Sequence, residues 1–161
     1  MTLLIPMRPG SYPAYLAAAI AGYAQDNVAV GRWPQAGAAE RSRADFESLL
    51  PLGLATPDNH LFEMLVAEDG PAVGMLWLAI ERKHGFTSGF VYDVEVQPAH
   101  RRQGHALRAF RALEPIAAAL GATSIGLHVF GSNAPAQALY RRLGYGVTGV
   151  NMLKLLGDDM G

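Results

Sequence analysis

Between Val94 and Leu107 the sequence runs Val-Glu-Val-Gln-Pro-Ala-His-Arg-Arg-Gln-Gly-His-Ala-Leu, and these residue types in this order suit the binding of an anion. A β-prone run passes through a short basic loop into a long helical pattern. The start of a helix presents N–H groups that have no carbonyl one turn earlier to bond, together with the positive end of the helix dipole. Gly104 lets a phosphate approach the backbone where a side chain would obstruct it. Arg101 and Arg102 add positive charge at an end where cations are normally unfavourable, so the cluster requires an anion such as a pyrophosphate, or a solvated face. Glycine and arginine before a helix are common, and both readings stay open on these residues alone. A Walker loop and the Gly-x-Gly-x-x-Gly dinucleotide fingerprint are both absent from this stretch.

Other side chains could move protons. Asp93 and Glu95 lie two apart in the β-prone run and so share a face, where a carboxylate partly screened from water can serve as a base. Hydrogen-bonded or solvated sheet carboxylates would show the same spacing. His128, beside Phe130, has a reference pKa near neutrality and can carry a proton or simply pack. The five histidines, His60, His84, His100, His105 and His128, form no pair at helical ligand spacing, so no metal site is expected.

These residues need a framework to hold them. Leu3 to Met7 reads as a short strand, followed by a helix that opens at Ser11, Tyr12 and Pro13 and runs to about Gln25. A second helix is expected from Ala38 to Leu50, ended by Pro51, and Leu52 to His60 reads as a loop. Phe62 to Glu68 and Val73 to Ile80 read as strands joined through Asp69-Gly70-Pro71-Ala72. A third antiparallel strand is expected from Phe90 to Val96, after a loop from Glu81 to Ser88. The pattern then becomes helix, strand, helix over Gln103 to Leu120, Ser124 to Val129 and Ala134 to Leu143, with Gly121 and Gly144 where helix C-caps fall. A last strand or hairpin is expected from Tyr145 to Leu156, and a flexible tail from Gly157 to Gly161.

A chain of 161 residues, half of them apolar, suits one domain with one core. Thirteen basic residues against fourteen acidic ones give a net charge of -1, which argues against a nucleic-acid-binding or membrane-surface protein, so any anion site must be local. A nucleic-acid domain built on Arg101, Arg102, Arg108 and Arg111 would also lack an interleaved aromatic platform. With no cysteine there is no disulfide framework, no thiolate metal site and no cysteine nucleophile. Met1 to Pro6 has no basic leader, and the apolar stretch Ala14 to Ala24 is too short to span a bilayer, so a cytoplasmic location is expected.

Two signatures together point to a family. Arg101-x-x-Gly104-x-Ala106 after a Val-x-Val-x-Pro strand is similar to the Gln/Arg-x-x-Gly-x-Gly/Ala motif of the GNAT superfamily of N-acetyltransferases. Asn133, Ala136, Tyr140 and Gly144 fall on the spacing of that family's second signature, Asn-x-x-Ala-x-x-x-Tyr-x-x-x-Gly-Phe, with Tyr145 in place of phenylalanine. They span about a third of the chain in the right order, which is far more specific than either alone. The chain also resembles a small bacterial subgroup with no agreed acceptor, through Gly31-x-Trp33, Leu49-Leu50-Pro51-x-Gly53-x-x-Thr56-Pro57, Tyr92-Asp93 and Leu127-His128-Val129-Phe130.

The resemblance implies an α/β (α+β) GNAT fold. Its mixed central sheet would have about six to seven strands, an antiparallel meander followed by a β-α-β-α unit, with helices on both faces and splayed central strands. It implies acetyl-CoA as cosubstrate, without a metal. The backbone of Arg102, Gln103, Gly104, His105 and Ala106 would cradle the pyrophosphate with help from Arg101. Val94 and Val96 would pair with the pantetheine arm, and Asn133 would contact it while capping its helix.

Tyr140 would be the general acid, since a phenol stays protonated at neutral pH and can donate to a leaving thiolate. Glu95 or Asp93 would be the base, acting directly or through water. The acceptor would be an amine-bearing small molecule or peptide, bound near Trp33 and the segment from Leu49 to His60. The expected activity is transfer to a primary amine in a ternary complex. The alternative is a catalytically silent acyl-CoA-binding module that needs the loop but neither Tyr140 nor a base. A homodimer through exposed strand edges is a further expectation.

Overall fold

The computed structural model describes residues 2–157. In chain order its elements are β1 (Leu3–Pro6), α1 (Tyr12–Ala29), α2 (Ala38–Leu49), β2 (Asn59–Leu65), β3 (Ala72–Lys83), β4 (Phe86–Val96), α3 (His105–Ala119), β5 (Ile125–Leu127) and α4 (Ala134–Arg142). They fall into two compact units, Met1–Pro9 with Leu54–Gly146 and Gly10–Gly53 with Val147–Gly161.

The first unit is built on a five-stranded sheet in the order β1-β2-β3-β4-β5. The first four strands pair antiparallel as a meander, and β5 joins β4 in parallel, as a strand reached through a helical crossover must. Phe62, Met64, Leu76, Leu78, Ile80 and Val91 form a core with Ala109, Phe110, Leu113 and Ala117 of α3 and Tyr140 of α4. The helical members recur at intervals of about four residues, which puts them on one stripe of α3. Each fully buried large side chain contributes about 1.5–3 kcal/mol, so this stripe fixes where α3 begins and hence where the basic loop lies.

Several strands differ from the expectations, β5 among them, which is Ile125–Leu127 where Ser124 to Val129 was expected. β2 starts at Asn59, because Asn59, His60 and Leu61 pair with Ala79, Leu78 and Trp77 and the Trp77 indole Nε1 donates to Asn59 Oδ1 at 2.9 Å. The expected loop from Glu81 to Ser88 is instead the tip of a long hairpin: β3 and β4 pair out to Lys83 and Phe86. His84 (φ 56°) and Gly85 (φ 83°) both take the left-handed conformation, which gives a two-residue turn matched to the twist of the strands.

The six to seven strands expected reduce to five. Among the described residues Tyr145 to Leu156 forms no strand, and Val147, Val150, Met152 and Leu155 are exposed. Residues with high β-propensity need a neighbouring strand and a face to bury, and here neither is supplied.

In the second unit α1 and α2 pack together. The Ser42 hydroxyl of α2, fully buried, donates to the Ile20 carbonyl of α1 at 2.7 Å. α1 runs four residues beyond the expected Gln25. Asn27 ends it, accepting from Arg32 Nη1 at 2.7 Å through its side chain and from the Arg32 and Trp33 N–H groups through its carbonyl. Leu153 and Leu155 lie beside Gly31 in the same unit. Of the tail expected over residues 157–161, all but Gly157 lies outside the described residues. Among the described residues no helix is long and apolar enough to cross a membrane.

Candidate functional site

The parallel ladder between β4 and β5 holds only three pairs, Gly89 with Ile125, Phe90 with Gly126 and Val91 with Leu127. β4 continues to Val96 beside β3 alone, so from Tyr92 to Val96 its other edge has no ladder partner among the described residues. Val94 and Val96 pack against the core, and because Gln97 is a bonded position facing β3, the alternation of the antiparallel ladder turns the backbone groups of Val96 and Val94 to the other edge. A bulge opposite Trp77 and Leu78 marks where β4 changes course, and bulges are a common way to redirect a strand beside a site. At the bulge Tyr92 stacks on Trp77 with centroids 4.7 Å apart and meets Phe90 edge-on at 4.8 Å.

The basic loop follows directly. The Gln97 N–H extends the strand by bonding the Val73 carbonyl, and Pro98–His100 makes a single 3-10 turn. Arg101 folds back onto the strand end: Nε donates to the Val96 carbonyl at 2.9 Å and Nη2 to Glu95 Oε1 at 3.3 Å. Arg102 (φ 62°) and Gly104 (φ 80°) are both left-handed, a conformation costly for arginine and free for glycine. α3 therefore starts at His105, two residues later than expected, with Gly104 as its N-cap. Arg101 to Gly104 are exposed and His105 is buried.

His105 is held from several sides. Its Nδ1 lies 3.1 Å from Thr2 Oγ1, and its Nε2 lies 3.3 Å from Gln103 Oε1. Burial, then the positive charges of Arg108 and His100, lower its pKa. The lowered pKa favours the neutral ring, and its partners assign the tautomer: Gln103 Oε1 and Arg108 Nη2 are an acceptor and a donor, which puts the proton on Nε2 and leaves Nδ1 to accept.

On the other side of the β4 edge, Asn133 caps α4, its Oδ1 accepting from the Ala136 N–H at 3.2 Å. Gln137 Nε2 donates to the Phe130 and Gly131 carbonyls at 3.2 and 2.9 Å and so fixes the loop before that cap. Tyr140, on the following turn, is 9% exposed. Its ring meets Phe110 and Tyr145 edge-on, and no hydrogen bond to its hydroxyl is made among the described residues. Burial, then the nearby Asp93 carboxylate, raise its pKa. The Tyr145 pKa is pushed up to about 12 by burial, then by Glu114 and Tyr140.

The structure thus brings Asp93 and Tyr140 within electrostatic reach of each other. Glu95 it places in the solvent, paired with Arg101. His128 is exposed and edge-on to Phe130 at 5.1 Å. Trp33 packs edge-on against Tyr23 in the second unit. Sequence reasoning missed Thr2 and Arg108, which surround His105. Nothing in the order of residues signals a contact across 106 positions, although Arg108 stands one turn after Gly104, where a helix brings side chains back over its own start.

Comparison with known proteins identifies the family. The model of the acetyltransferase (GNAT) family matches residues 23–145. The uncharacterized N-acetyltransferase YycN of Bacillus subtilis is 35% identical over 154 residues, which covers 96% of this chain and 98% of that protein. YdgE of the same organism, also an uncharacterized N-acetyltransferase, is 31% identical over 150 residues, covering 93% and 95%. The crystal structure of the Bacillus subtilis acetyltransferase YycN superposes with a TM-score of 0.92 at 34% identity, covering 98% of this chain and all of that one. An acetyl transferase from Pyrococcus furiosus, 24% identical, shares the fold with a TM-score of 0.70 over 97% of this chain and 100% of that one.

Proposed function

Because this chain belongs to the GNAT family of acetyltransferases, we propose that it transfers an acetyl group from acetyl-CoA to a primary amine by direct attack in a ternary complex. The observation that carries the proposal is the single-sided strand from Tyr92 to Val96, which leads into a helix start capped by a glycine. Both ends of that path suit the cosubstrate. The backbone of Val94 and Val96 offers donors and acceptors that β5 does not pair, as the amides of a pantetheine arm require, with the Val96 carbonyl already accepting from Arg101 Nε. The N–H groups of Arg102 to Ala106 and the dipole of α3 suit a pyrophosphate, and Gly104 has no Cβ to block it. Asn133 can cap α4 and meet the arm as well.

Acetyl-CoA supplies an activated acetyl thioester, and the remaining chemistry is proton handling. An ammonium acceptor must lose a proton before its nitrogen can bond to the acetyl carbon. As that bond forms the C–S bond breaks, the nitrogen gives up a second proton and the sulfur takes one up, so that a single proton leaves the site overall. Tyr140 is assigned the last step, because its phenol is kept protonated and its hydroxyl makes no hydrogen bond among the described residues. Asp93 is assigned the first, directly or through water, in preference to Glu95, whose carboxylate is exposed and held by Arg101. The acceptor is an amine-bearing small molecule or peptide.

The test is a calorimetric titration with acetyl-CoA beside the variant Gly104→Asp, followed by a screen of amines. Saturable binding by the wild type, lost in the variant, with turnover of at least one amine, is the expected result. A folded wild type that does not bind removes the proposal. Binding without turnover of any amine leaves a silent acyl-CoA-binding module.

A further inference from the structure

Arg108 stands on the first turn of α3, where a cation faces the positive end of the helix dipole and is unfavourable unless something compensates it. No carboxylate does so among the described residues. Its side chain runs back over the start of its own helix. Nε donates to Thr2 Oγ1 at 2.9 Å, and Nη2 donates to the Gln103 carbonyl at 2.8 Å. Nη2 also lies 3.3 Å from the acceptor nitrogen of His105, and Nη1 lies 2.7 Å from where a Cβ on Gly104 would stand. The partners of this half-buried guanidinium are therefore a hydroxyl, a carbonyl and a neutral ring, each of which orients it without cancelling its charge.

We propose that Arg108, anchored by Thr2 and His105, is a positioning residue for the pyrophosphate loop. It draws the Gln103 carbonyl oxygen toward itself, so that the loop presents N–H groups and not an acceptor oxygen to the anion. It also leaves a full positive charge beside Gly104. The inference rests on the acetyl-CoA reading above and adds to it two side chains, Arg108 and Thr2, that lie outside the sequence motif. Lysine cannot reproduce the arrangement, because one ammonium cannot serve the Thr2 hydroxyl and the Gln103 carbonyl through separate nitrogens of a planar fork.

Coenzyme A and acetyl-pantetheine, which lacks the pyrophosphate, are titrated into the wild type and into Arg108→Ala, Arg108→Lys and Thr2→Val. Calorimetry follows the first ligand, and the amide shifts of Val94 and Val96 follow the weaker second. The expected result is a loss of about tenfold or more in coenzyme A affinity for Arg108→Ala, as for a lost charge-assisted bond. Arg108→Lys recovers part of it, and Thr2→Val shows a smaller loss. Acetyl-pantetheine affinity should stay within about twofold of the wild type in all three, since no charged contact to that ligand is removed. Equal losses for both ligands would show a general structural role and overturn the inference. So would unchanged coenzyme A affinity in folded Arg108→Ala, with the acetyl-CoA reading left standing. A wild type that binds neither ligand would overturn both.

Discussion

The ring of Tyr140 stands edge-on against Phe110 with centroids 5.5 Å apart, so the packing that holds this side chain uses its ring and not its hydroxyl. Tyr140→Phe should therefore unfold close to the wild-type temperature and bind acetyl-CoA with wild-type affinity. Its kcat should fall by about 10²–10⁴, the usual contribution of a positioned acid. Phe110→Ala should do the reverse, destabilising the fold by about 3–5 kcal/mol through loss of a buried α3 side chain. Unchanged turnover in a folded Tyr140→Phe would remove the phenol from the reaction.

Two helix starts were legible because each rests on a local rule. Gly104 is needed where a helix begins in a left-handed conformation, and Asn133 caps the helix that carries Tyr140. What escaped the sequence depends on partners that are distant in the chain. The segment Glu81 to Ser88 reads as a loop, whereas it is the paired ends of β3 and β4 around the tight turn of His84 and Gly85. The β-prone run after Tyr145 showed propensity but could not show whether a neighbouring strand existed. The Thr2–His105–Arg108 contacts join the residue before β1 to α3, and only the folded sheet brings them together.

Asp93 and Glu95 separate as candidates for the base. The Glu95 carboxylate meets Arg101 in solvent, and such exposed pairs are worth about 0.2–1 kcal/mol, so Glu95→Gln should change kcat/KM less than about fivefold. Asp93→Asn should lower it by about 10²-fold or more. Burial, then Asp93, raise the Tyr140 pKa, so the same variant should move the phenol titration part of the way down toward its ordinary value, which ultraviolet difference spectra can follow. A larger loss from Glu95→Gln than from Asp93→Asn would reverse the assignment.

His105 gives stability a pH dependence of definite sign. Its pKa is lowered in the folded protein by burial, then by Arg108 and His100, so between that value and the unfolded value of about 6.5 the unfolded chain binds the extra proton. The contribution is fully present above about pH 6.5 and is lost as pH falls toward the folded pKa. The urea midpoint should therefore drop between pH 7.5 and 5.5, and the drop should be smaller in His105→Gln, which cannot titrate. An equal drop in both proteins would place the pH sensitivity elsewhere.

Gly74 leaves no room for a side chain beside the end of the strand assigned to the cofactor. It pairs with Val96, and a Cβ there would strike the Glu95 carbonyl oxygen, the Met64 sulfur and the Val96 Cα. Two of those three are backbone atoms, which cannot swing aside as a side-chain tip can. Gly74→Ala must therefore push the end of β4 outward, at a cost of about 1–3 kcal/mol, or several degrees in Tm at roughly 2–4 °C per kcal/mol. The displaced residues are Glu95 and Val96, so acetyl-CoA affinity should fall in the same variant under conditions where it remains folded. Gly126→Ala is the control on β5: its Cβ would meet only Phe90 Cδ1, at an ordinary 3.6 Å, and the change should move Tm and affinity little. If both variants behave alike, the close approach at Gly74 does not set the position of the Val96 backbone, and the cofactor strand is held from its α3 side instead.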